Sequence, residues 1–132
     1  MDIFEITKRF PKEEKFSLTD QIRRSSRSVP ANISEAWKKR SYPKMFVSKI
    51  IDAAGEAGET EVWLDTAKDA NYMSVEEHKE MMDGYDEVNR MFAAKNIKTR
   101  GNNEEIYQGF VSIIEGYGNE STCAYKCSTF HL

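Results

Sequence analysis

The chain has 132 residues, one domain's worth, and its 39% hydrophobic and 31% charged residues are the balance of a polar globular protein. No apolar run approaches the ~20 residues of a membrane span, MDIFEITKRF lacks the apolar core of a secretory signal, and Cys123 and Cys127 sit in the last ten residues, where they frame no core. A cytoplasmic protein with no membrane contact is expected. The net charge of −3 hides a division: residues 1–50 hold 12 Lys/Arg against 6 Asp/Glu, and residues 51–132 hold 7 against 16. A local positive field of this kind attracts an anionic partner, or the acidic half of a neighbouring subunit.

In chain order, Ile3, Phe4 and Ile6 read as the end of an amphipathic helix closed by Phe10-Pro11, and 12–16 as a polar connection. From Leu18 the apolar positions Leu18, Ile22, Val29, Ile33 and Ala36 share one helical face, with Ser25 and Ser26 in the gap. Pro30 lies inside this second helix, where it removes one backbone bond and should kink the helix rather than end it. Ser41-Tyr42-Pro43 is a fresh start, with Ser41 the candidate N-cap.

The third helix is predicted from about 43 to 70, with Phe46, Ile50, Ala53, Ala54, Ala57, Glu61, Leu64 and Ala67 on one side. Its middle carries Gly55 and Gly58, each costing ~1 kcal/mol against alanine. Close helix–helix approach would account for them, and so would simple tolerance. Glu61, on the apolar face, is a candidate for an ion pair with an arginine across the bundle. Asn71-Tyr72 should break the helix, and Ser74 with Glu77 matches a capping box. The last long helix carries Met81, Met82, Tyr85, Val88, Met91 and Phe92, and His78 in its acidic first turn reads as a solvated or capping residue.

These elements divide the chain into a helical bundle domain, 1–100, and a C-terminal extension, 101–132, part short helix and part mobile tail. Cys123, Cys127 and His131 recur every four residues, but the spacing matches no common zinc module and lacks a fourth ligand, so no metal is expected. Ser-His, Cys-His, Glu-x-x-His and Gly-rich phosphate-loop arrangements are all missing, so neither an enzyme nor a cofactor is expected.

Phe10-Pro11, Glu13-Glu14, Leu18-Thr19, Gln21-Ile22-Arg23-Arg24, Ser28, Pro30-Ala31-Asn32-Ile33 and Glu35 form a pattern that resembles the proteins encoded in intervening sequences of bacterial large (23S) ribosomal RNA genes. Phe46, Ile50, Ala53, Gly55, Glu59, Glu61, Leu64, Ala67 and Asn71-Tyr72 continue the likeness, which spans roughly residues 3–95. The resemblance implies an all-α, antiparallel up-down bundle of four-helix type, its first helix shortened here, that assembles with itself into a ring, typically a pentamer, and has no catalytic site. It extends distantly to accessory ring proteins of retroelements, which bind nucleic acid and a reverse transcriptase.

On a continuous second helix, with Arg23 at zero, Arg27 falls at about 40° and Lys38 at about 60°, nearly opposite the apolar face. Arg23, Arg27 and Lys38 therefore make a basic stripe, with Arg24 at its edge and Lys39, Arg40 and Lys44 beyond. Such a stripe suits a row of phosphates, in RNA or DNA, without base specificity. Trp37, at about 320°, is placed either to stack a base or to edge the core. The rival reading is a homo-oligomeric scaffold, a protein-interaction module in which the same cations meet a neighbour's Asp and Glu.

Overall fold

The computed structural model describes residues 2–93, 104, 107–109 and 111–112. Among the described residues up to 93, four α-helices follow one another: α1, Ile3–Thr7; α2, Leu18–Lys38; α3, Pro43–Asp69; and α4, Val75–Ala93. The described residues contain no strand, and α2, α3 and α4, joined by short turns, pack side by side in up-down order around α3.

Each long helix buries the stripe that its periodicity marks. From α2 come Leu18, Ile22, Val29, Ile33 and Ala36; from α3 Phe46, Ile50, Ala53, Ala57, Leu64 and Ala67; from α4 Met81, Tyr85, Val88 and Phe92. α1 adds Ile3 and Ile6 and turns Phe4 outward. α2 continues through Pro30 without a break. The gap in its apolar stripe is filled by a polar contact, in which buried Thr60 donates to buried Ser25 Oγ (2.8 Å) and Ser25 donates to Gln21 O (2.9 Å).

The helix ends explain themselves. Asp2 caps α1 by accepting from Phe4 N–H (2.9 Å). α3 ends in a Schellman motif, with Asn71 in the left-handed region (φ 59°) and Tyr72 N–H donating to Ala67 O (2.9 Å). The capping box of α4 is present in both directions, Glu77 N–H to Ser74 Oγ (3.1 Å) and Ser74 N–H to Glu77 Oε2 (2.9 Å). Arg9 reaches the same Glu77 (2.5 Å), and Phe10 packs on Tyr72 (5.6 Å between ring centroids), so α1 is tied to the α3–α4 turn. At the opposite end Tyr107, from a short helical stretch, meets Phe46 edge-on (5.2 Å), which brings part of the extension onto the core.

Three expectations change. The N-cap of α3 is Tyr42 rather than Ser41: the turn that closes α2, with Tyr42 N–H on Lys39 O (2.9 Å), delivers the chain directly to Tyr42, and Pro43 takes the first helical position. Glu61 accepts from Asn89 of α4 (2.9 Å) and not from an arginine. The ring of His78 is held by Asp65 of α3 (2.7 Å) and is largely buried. Of the two accounts of the glycines, simple tolerance fits: among the described residues a Cβ on Gly55 or Gly58 would meet no atom within 4 Å. The sequence tail with Cys123, Cys127 and His131 lies outside the described residues, and among those described no group of three potential metal ligands occurs.

Candidate nucleic-acid interface

The cations of the stripe fall into two groups. The first surrounds Phe4. Arg23 Nε donates to Thr7 Oγ1 (2.8 Å), and the Arg23 guanidinium lies 4.6 Å from the centroid of the Phe4 ring. Thr7 is buried and bonds back to Ile3 O (2.8 Å). Arg23 is thus half-buried and fastens α1 to α2, although its phase on an isolated α2 points it to solvent. Lys8 (4.7 Å) and Arg27 (5.8 Å) approach the same ring, a set of cation–π contacts on a surface aromatic that remains 40% exposed. Lys8 is also paired with Glu5 (2.6 Å), and Arg24 is exposed with its guanidinium on Gln21 Oε1 (2.7 Å).

The second group occupies the α2–α3 corner, about 16 Å farther along the α2 axis at 1.5 Å per residue from Arg27 to Lys38. Here Lys38, Arg40 and Lys44 are exposed. Arg40 donates to Trp37 O (3.0 Å), at the orphaned carbonyl end of α2, and spreads its guanidinium 4.8 Å from the Trp37 ring. Lys39 differs: it is paired with Glu35 (2.6 Å), which also holds Lys49 (3.2 Å). The hydrogen bonds from Lys39 and then Lys49 keep the Glu35 carboxyl below the usual carboxylate range.

The carboxylate nearest the corner in sequence is therefore already occupied twice, by Lys39 at the end of α2 and by Lys49 of α3. Among the described residues no carboxylate is ion-paired with Lys38, Arg40 or Lys44, or with Arg23, Arg24 or Arg27. Of the seven cations read from the sequence, only Lys39 is neutralised by a carboxylate among the described residues. Asp20 shares the N-terminal end of this face one turn before Arg24 and weakens the field there.

Three contributors escape the sequence pattern. Phe4 and Lys8 join the first group because α1 folds back on α2, which no periodicity within α2 signals. Tyr42, 65% exposed, stands at the corner between Arg40 and Lys44. Its position next to Lys38-Lys39-Arg40 is a signal that basic–aromatic interleaving can supply. Trp37 is partly buried on the core beneath Arg40, so it edges the core.

No curated protein and no solved structure matches this chain. The model of one family, described as 23S rRNA-intervening sequence protein, matches residues 1–94, which covers every helix that builds the bundle and all seven cations of the stripe. On that match the chain belongs to the 23S rRNA-intervening sequence protein family.

Proposed function

We propose that this protein is a non-enzymatic helical bundle that binds a nucleic-acid backbone, RNA foremost, through the outer face of α2 and the α2–α3 corner. The observation that carries the reading is the set of exposed cations Arg24, Arg27, Lys38, Arg40 and Lys44, none ion-paired among the described residues, on a chain whose net charge is negative. Arginine forks and lysine point charges on one face match phosphate oxygens and read no base edge. The family's name, attached to intervening sequences of 23S rRNA, favours RNA as the polyanion.

A second reading, a self-associating scaffold, is favoured by the outer face of α3. There Ile51 (49% exposed) and Val62 (57%) flank the two glycines whose Cβ positions are open. One experiment separates the two. Purified protein is titrated with a structured RNA and a matched DNA duplex from low to physiological salt, with oligomeric state followed by sedimentation. Binding whose log K falls with log[salt] as several phosphate contacts require is the expected result, and a Lys38→Ala/Lys44→Ala variant should lower the slope by roughly 0.7–0.9 for each phosphate ligand removed. Lys39→Ala should leave the slope unchanged, and Arg23 is left intact because it holds α1. No binding even at low salt would sink the nucleic-acid reading, and a Lys38→Ala/Lys44→Ala variant that loses its oligomer would move those cations to the scaffold.

A further inference from the structure

Beyond phosphate contact, we infer that the α2–α3 corner takes unpaired nucleotides, with Tyr42 as the platform on which a base stacks; the inference rests on the nucleic-acid reading above. A surface that only tracks a duplex needs cations and hydrogen-bond donors. This corner has in addition a bare aromatic ring set among them. The Tyr42 side chain makes no capping bond, and among the described residues it has no ring contact or hydrogen bond; about two-thirds of the residue is exposed. Its backbone is held on both sides: its N–H donates to Lys39 O (2.9 Å), and its carbonyl accepts from Met45 N–H (2.9 Å) and Phe46 N–H (3.0 Å). Pro43 follows it and fixes the entry to α3. The ring is therefore presented by a rigid backbone, so little ordering is needed on binding.

The neighbours complete the chemistry. Lys38, Arg40 and Lys44 surround Tyr42 in the chain and are exposed, and the carboxylates that bracket them in sequence are paired elsewhere, Glu35 with Lys39 and Lys49 and Asp52 with Lys49. Met45, in the first turn of α3, is exposed as well. Trp37 does not compete for the base, since Arg40 already covers it. An aromatic face beside uncompensated cations is the arrangement that binds single strands by stacking and charge together. A duplex keeps its base faces inside the stack, and Tyr42 has nothing there to meet.

The test is a fluorescence-anisotropy titration at fixed salt with a short unstructured RNA and with the same RNA annealed to its complement, using the full chain and its Tyr42→Ala and Tyr42→Phe variants. Tyr42→Ala should lower single-strand affinity roughly tenfold and leave duplex affinity within about twofold, while Tyr42→Phe retains both. Because the side chain is exposed, the circular dichroism of all three proteins should coincide. Tyr42→Ala binding single strands as well as the parent does would overturn the inference and leave the nucleic-acid reading standing. Equal losses on both RNAs would also overturn it, by assigning Tyr42 to the shape of the corner. A parent protein that binds neither RNA at low salt would remove both conclusions together.

Discussion

Gly55 and Gly58 are the positions at which the outer surface of α3 can be interrogated with least disturbance. Both lie in the interior of a 27-residue helix, and an added Cβ at either would meet nothing within 4 Å. Gly55→Ala and Gly58→Ala should therefore bring neither a clash nor new burial, only the smaller conformational entropy of alanine in the unfolded chain. That is worth about 0.5–1 kcal/mol per site; the two sites sit one turn apart on the same helix, so each single variant is measured on its own. For a domain of this size each kcal/mol moves the midpoint by about 4 °C. The assay is urea and thermal unfolding followed by circular dichroism at a low and a high protein concentration. Stabilisation at both concentrations is the expected result. A variant that is destabilised only at high concentration would refute the premise of an open face, because it would mean that a second copy lies across the glycines in the wild type.

Two further outcomes follow from buried or half-buried polar groups. Desolvation, reinforced by the nearby charges of Asp86 and Asp65 and opposed by the Asn89 hydrogen bond, raises the pKa of Glu61 above the ordinary value of 4.5. The protonated form is thus favoured by the fold, and this contribution is fully present below the unfolded pKa and lost as pH rises through the folded one. Glu61→Gln should accordingly be more stable than the wild type at pH 7 and lose that advantage on acidification toward the unfolded value; a constant difference across the range would show that burial does not perturb Glu61. At the Ser25–Thr60 pair, Ser25→Ala and Thr60→Val should each cost about 1 kcal/mol in urea unfolding, since each surviving hydroxyl keeps a backbone acceptor, Gln21 O or Glu56 O. The double variant should cost less than the sum by about 0.5–1 kcal/mol, and strict additivity would mean that the two hydroxyls do not bond.

What the sequence discloses here is whatever one helix decides by itself. The α3 span, the buried positions of α4, the Asn71 break and the Ser74–Glu77 box are all local, and the periodicity and capping chemistry state them directly. Partners across helices are not local. The phase of Glu61 puts it toward the bundle, but whether an arginine or Asn89 faces it depends on the register of α3 against α4. The glycines illustrate the limit from the other side: DAAGEAGE permits a close helix approach or none, and only the packed structure places both glycines on the open face. Val47 and Thr60 are core residues that the expected face omits, because α3 touches α2 on one flank and α4 on another, and the buried arc is wider than one stripe.

The basic stripe shows how phase and role part company. On an isolated α2, Arg23 and Arg27 point the same way and look like one pair of phosphate ligands. With α1 folded back, Arg23 commits its Nε to Thr7 and its guanidinium face to Phe4, while Arg27 keeps only a more distant approach to that ring. Replacing both at once would therefore loosen α1 and remove an exposed cation in the same step, and any loss of binding would have two causes. Lys38 and Lys44 have no such second duty: both are exposed, and neither is bonded or ion-paired to another described residue. The corner is where charge can be removed without touching the fold, so a binding defect from Lys38→Ala/Lys44→Ala, with unfolding and oligomeric state both unchanged, is attributable to the lost charges.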